Sequence, residues 1–201
     1  MLFAGTYECR IVIATGTSLQ FEQSHILSVG KCDYNRSSLC KRSNRKYLVT
    51  FISWRQVLEL SVDPMRETRQ YKTQQQIRHI ECVRLAGQEV LFATHFDTTV
   101  RSYALEENSL RELASVKMEL PELLLWDHQR QVLLVSDDER GSNVRVLTVA
   151  SGGRALRVVH TNRAAQLRIW IWSWCISSEN TLLCFDYNKQ EFVEFEIKSA
   201  S

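Results

Sequence analysis

Five stretches of this chain repeat one pattern: an apolar strand with a Leu near its start, a polar turn, and a second apolar strand. The pairs are residues 2–6 with 11–14, 47–51 with 57–60, 90–94 with 100–103, 132–136 with 144–147, and 181–185 with 192–195. Aligned on Leu2, Leu48, Leu91, Leu133 and Leu182, the units are spaced by 46, 43, 42 and 49 residues. Such a period restricts the fold severely, because one unit of this size cannot bury its apolar surface alone and must stack on its neighbours.

The remaining strands fall between the pairs. Before a pair lies an apolar run, at 26–29, 80–85, 123–126 and 169–176, expected as an inner strand. After a pair comes a more polar segment, at 19–21, 69–72, 110–116 and 156–159, whose alternation fits an outer strand with one solvated face. Residues 66–76 favour helix by composition but carry no apolar stripe, so they are assigned to outer strand and loop. Four-stranded blades recur at about 40–45 residues. The expected fold is therefore all-β: a β-propeller-like array of about five four-stranded antiparallel blades, in one domain spanning 1–201.

The stretch 88–105, with Asp97 in its turn and Val100-Arg101-Ser102-Tyr103 after it, carries a family resemblance, and 131–149, with Val144-Arg145, repeats it. On these residues the whole chain resembles a degenerate WD40-type β-propeller. It departs from that pattern in having no Gly-His pair before an inner strand. Its one Trp-Asp dipeptide, Trp126-Asp127, ends an inner strand instead of a third one. The resemblance implies assembly of protein complexes rather than chemistry. Counting gives three strands, three sets of four and three more. The first unit lacks an inner strand and the last an outer one. A seven-bladed ring would need roughly 300 residues, so the chain is expected to be part of a larger propeller or to be completed by a partner, since open edges invite aggregation.

The net charge of +2 makes the whole molecule a poor polyanion binder. The charge is unevenly spread. The segment 31–47 holds Lys31, Arg36, Lys41, Arg42, Arg45 and Lys46 against the single acid Asp33. It is expected as an inserted loop, either a solvated loop, a nuclear import signal, or a contact for phosphates of RNA or DNA; Tyr34 and Tyr47 could add base stacking. Glu8 and Arg10 arrive too early for a secretory signal, and no apolar run is long enough to span a membrane. A cytoplasmic or nuclear location is expected. The six cysteines form no CxxC pair and are expected to be reduced and mostly buried.

Rim turns between second and third strands place Arg55, His95, Asp97, Arg140 and Lys189 as candidate protein contacts. In 169–176 strict alternation puts Trp170, Trp172 and Trp174 on one face, either as an aromatic platform for a partner or as packing between blades. No metal is expected: His25, Cys32 and Cys40 match no finger spacing, and Asp137-Asp138-Glu139 reads as a polar turn shaped by Gly141. No nucleophile elbow, phosphate loop or dinucleotide fingerprint is present. The expected function is non-enzymatic, a protein–protein interaction scaffold within a larger complex, with no cofactor or small-molecule substrate. A nucleic-acid-associated subunit acting through 31–47 is the alternative, and a substrate receptor of a ubiquitin ligase a second one.

Overall fold

The computed structural model describes residues 3–4, 9–15, 22–28, 37–43, 45–52, 54–62, 65–137, 143–160, 171–178, 181–186 and 188–196. Among the described residues, eighteen strands form five antiparallel sheets in chain order. The first joins β1 (Phe3–Ala4), β2 (Cys9–Thr15) and β3 (Glu22–Ser28). The second joins β4 (Ser37–Ser43), β5 (Lys46–Phe51), β6 (Gln56–Val62) and β7 (Met65–Lys72). The third joins β8 (Ile77–Leu85), β9 (Gln88–His95), β10 (Thr99–Leu105) and β11 (Leu110–Lys117). The fourth joins β12 (Pro121–Asp127), β13 (Val132–Asp137), β14 (Val144–Ala150) and β15 (Ala155–His160), and the fifth β16 (Ile171–Ser178), β17 (Thr181–Asp186) and β18 (Glu191–Glu196). Among the described residues no helix is long and apolar enough to cross a membrane.

The middle strands are apolar at nearly every position because neighbouring sheets cover both faces. In β9, Leu91 and Ala93 belong to a core shared with Leu48, Val57 and Tyr71 of the second sheet. The alternate residues Val90 and Phe92 join Leu124, Trp126, Leu133, Val135 and Leu147 of the fourth. Phe92 stacks on Trp126 with ring centroids 6.0 Å apart. A third layer sets Leu123 and Leu134 against Ile171, Trp174, Leu182 and Cys184. Full burial of one such side chain is worth about 1.5–3 kcal/mol, so successive sheets hold each other folded.

The inner strands β4, β8, β12 and β16 lie side by side and are joined by side chains bonding to main chain. Ser38 Oγ donates to Ile80 O (3.2 Å) and accepts from Ile80 N (3.0 Å). Leu124 N donates to His79 Nδ1 (3.3 Å), and Trp174 Nε1 donates to Leu124 O (3.4 Å). Each bond satisfies a main-chain or side-chain polar group that the sheets have removed from water.

Two expectations are corrected. Residues 26–28, read as an inner strand from their apolar character, belong to β3, the third strand of the first sheet; 19–21 lie outside the described residues. The inner strand of the second sheet is β4, so 37–43 are not part of an inserted loop. Its polar residues do not mark a loop because tertiary partners satisfy them: Ser38 bonds to β8, and Arg42 pairs with acids of β6 and β9. Elsewhere 80–85, 123–126, 69–72, 110–116 and 156–159 fall in β8, β12, β7, β11 and β15 as expected.

A short 3-10 turn, Ser151–Gly153, docks the fourth sheet onto the third. Ser102 Oγ donates to Gly153 O. Gly153 has φ +90°, and a Cβ there would meet Val90 Cγ1 at 2.9 Å. Gly87, with φ +80°, has no heavy atom within 4 Å of its Cβ position. Both glycines to Ala should cost about 1 kcal/mol for the left-handed backbone. Gly153→Ala should add roughly 1–2 kcal/mol of overpacking, so urea unfolding should show the larger loss for Gly153→Ala.

Candidate functional site

The turns joining second to third strands form one rim across the second and third sheets. Trp54 and Arg55 sit between β5 and β6, and Phe96, Asp97 and Thr98 between β9 and β10. Main-chain bonds link the two: Ile77 N to Trp54 O (2.8 Å), Thr73 N to Arg55 O (2.8 Å) and Phe96 N to Gln76 O (3.1 Å). The Arg78 guanidinium lies 4.2 Å from the Phe96 ring centroid and pairs with Glu122 of the fourth sheet at 3.0 Å. Arg55 is exposed, and Phe96 is 39% exposed although it stands in a polar turn. Lys189 occupies the equivalent turn of the fifth sheet, exposed and 3.4 Å from Glu191. Arg140 lies outside the described residues.

Asp97 organises its turn instead of standing free. Its carboxylate accepts from Thr99 Oγ1 and from the Arg101 guanidinium. Thr98 between them has φ 64°, a conformation that costs a β-branched residue energy. In the fourth sheet the Asp137 carboxylate accepts from Leu120 N and pairs with Arg145. A cleft of about 310 Å³ opens between the second and third sheets beside Arg101, lined by Lys72, Thr73, Gln74, Arg101, Tyr103, Leu110 and Glu112. Arg101 has already engaged Thr99, Asp97 and Glu112 there.

His95, expected on the rim surface, is fully buried. The main-chain Gln76 O lies 3.2 Å from Nδ1 and accepts its proton, so Nε2 accepts from the Tyr103 hydroxyl at 2.9 Å. Burial, with Arg101 nearby, pushes the imidazole from 6.5 down to about 4. Burial raises the Tyr103 phenol to about 12, which keeps it a donor.

The basic segment divides in the structure. Glu59 is fully buried and accepts from Arg42, Lys46 (3.2 Å), Thr68 (2.8 Å) and Tyr71 (3.3 Å). Arg42 also reaches Glu89 at 2.9 Å and the Tyr71 hydroxyl at 2.8 Å. Two of the six cations therefore neutralise an interior acid. Lys41 and Arg45 are exposed, near the β4–β5 turn at the opposite rim from Arg55, while Lys31 and Arg36 lie outside the described residues. Trp174 is buried between the fourth and fifth sheets. The alternation of its strand is broken by a bulge between Ile171 and Ser173, so Ile171 and Trp174 share one core. Trp170 lies outside the described residues, as does the side chain of Trp172. Cys40 and Cys184 are buried free thiols, but Cys175 is exposed. Sequence reasoning missed Trp54, Arg78 and Phe96 on the rim; the available signal was an aromatic residue inside an otherwise polar turn.

Over 99% of its length the chain superposes on the beta-propeller domain of Cps50 (Swd1) from Myceliophteria thermophila, with a TM-score of 0.64, 12% identity and 80% of that chain covered. The fold is a β-propeller. A putative 6-phosphogluconolactonase from Bacteroides fragilis is also similar, with a TM-score of 0.55, 13% identity, 76% of this chain and 47% of that one. No family model and no curated protein matches the sequence. The propeller places the turns of Arg55, Asp97 and Lys189 at one position of the second, third and fifth blades.

Two measurements check the site. Among the described residues, Arg42→Ala leaves the buried Glu59 carboxylate with Lys46 as its remaining cation and should cost about 2–3 kcal/mol, whereas Lys41→Ala should stay within about 0.5 kcal/mol; denaturant midpoints compare them. The fold holds His95 neutral, so its contribution is complete above 6.5 and is lost as pH falls toward about 4. In His95→Gln the decline of the unfolding midpoint across that window should flatten.

Proposed function

We propose that this chain is a non-enzymatic scaffold, a propeller subunit that joins other proteins in a larger complex through the rim of Arg55, Arg78, Phe96 and Lys189. The observation that carries this reading is the rim itself. Arg55 and Phe96 stand exposed on two blades that main-chain bonds hold in register, with Arg78 stacked on Phe96. Arginine and aromatic side chains on a rigid frame are the residue types that dominate protein contacts. Fold alone does not decide the matter, because one similar propeller is a putative lactonase. What supports a non-enzymatic role is that His95, the histidine next to the rim turn of Asp97, is sealed between Gln76 and Tyr103. The nucleic-acid reading is the weaker one, since Arg42 and Lys46 are spent on Glu59. No observation favours the ubiquitin-ligase reading.

Affinity capture of the tagged chain from extract, with nuclease, tests the scaffold reading. One stable set of proteins should survive nuclease and be lost from the Arg55→Glu/Phe96→Ala double variant, yet persist in Lys41→Ala/Arg45→Ala. Loss of the set on nuclease treatment, or with the Lys41 and Arg45 changes alone, would overturn it.

A further inference from the structure

The inner strands β4 and β8 approach closely enough for one short side chain to bridge them. Ser38 Oγ bonds to both Ile80 O and Ile80 N, which fixes the level of one strand against the other. Two residues further along each strand stand Cys40 and Cys82. The main-chain N–H of Cys82 lies close enough to the Cys40 sulfur to favour its thiolate, and the Cys82 sulfur is near enough to disfavour it. The two cysteines are therefore level with each other on neighbouring blades.

Pairing within each sheet shows where the thiols point. Cys40 stands opposite Leu48 of β5, and Cys82 opposite Leu91 of β9. Residues directly opposite each other in an antiparallel pair lie on the same face. Leu48 and Leu91 belong to the core between the second and third sheets; Cys40 is buried in that core, and Cys82 packs against it. One thiol enters this layer from the second sheet and the other from the third. Cys175 and Cys184 are also on adjacent strands but lack this arrangement. Cys184 is opposite Trp174 and shares its face, so Cys175 projects from the other face of β16.

We propose that Cys40 and Cys82 form an oxidation site, at which glutathione disulfide closes a covalent link that stabilises the second blade against the third. Both are free thiols, Cys82 partly exposed and Cys40 buried, so exchange begins at Cys82. Its thiolate attacks one sulfur of glutathione disulfide and expels a glutathione thiolate. The Cys40 thiolate then attacks the Cys82 sulfur of the mixed disulfide and expels the second. The two protein thiols are oxidised, the glutathione disulfide is reduced to two glutathiones, and these take up the two thiol protons. Burial pushes the Cys82 thiol up to about 12 and raises that of Cys40 well above its ordinary value. Thiolates are therefore scarce and the exchange is slow. The same burial shields the finished bond from attacking thiols. A link between residues 42 apart in sequence restricts the unfolded chain and so favours the folded one.

The full chain is incubated with glutathione disulfide in mildly alkaline buffer, where thiolates are more abundant, until the exposed Cys175 is fully modified. Proteolytic mapping by mass should find one peptide pair joined through Cys40 and Cys82, while Cys175 carries glutathione. The oxidised chain should unfold at a higher urea concentration than the reduced chain. Cys82→Ser, at the partly exposed position, and Cys40→Ala should each abolish both the link and the shift, whereas Cys175→Ala should keep them. Melting temperatures of the reduced variants establish that they fold, and Cys82→Ser decides if Cys40→Ala does not. Survival of both thiols once Cys175 is modified, a link from either one to a different cysteine, or a Cys40–Cys82 link with no rise in the urea midpoint would each overturn the proposal.

Discussion

Leu124 gives its N–H to His79 of the third sheet and its carbonyl to Trp174 of the fifth, and much of this structure depends on that kind of exchange. Side-by-side inner strands do not form a continuous ladder, so their polar main-chain groups need partners from outside their own sheet. Ser38 performs the same service for Ile80, both donating and accepting. Because an unpaired polar group in a dry interior costs more than a made bond returns, these contacts fix how each blade sits on the next. The rim depends on that placement. Trp54, Gln76 and Phe96 belong to different turns, and they meet only because the blades below them are in register.

The apolar layers between sheets act with these bonds but are less selective. Phe92 and Trp126, or Leu134 and Trp174, contribute burial wherever volume is conserved. Specificity of position comes from close approach and polar pairing: the Gly153 main chain against Val90 and Ser102, and Glu59 held by Arg42, Lys46, Thr68 and Tyr71. An interior acid tied to two cations gains little net energy over an apolar substitute, but it penalises any arrangement that leaves Glu59 unpaired. A segment that is strongly basic in sequence is thereby partly neutral in the fold.

Much of the fold was legible because it rests on short-range pattern. The period near 40–45 residues, the continuous apolar middle strands and the alternating outer strands all follow from burial on two faces or one. The clearest failure, β4, shows where pattern stops. Ser37-Ser38-Leu39-Cys40-Lys41-Arg42-Ser43 has the composition of a loop, and only the partners Ile80, Glu59 and Glu89 make it an inner strand. The rim was half legible. Turn positions gave Arg55, Asp97 and Lys189, but the burial of His95 and the stacking of Arg78 on Phe96 require two elements distant in sequence.

By itself the sequence determined that the chain builds repeated antiparallel sheets, how many strands they contain, and which turns share a position, because hydrophobic periodicity and turn chemistry act over a few residues. Only the tertiary structure decided which charges are paired in the interior and which aromatics are core. Those properties depend on what another blade brings to within bonding distance, and that contact is written nowhere in the local order of residues.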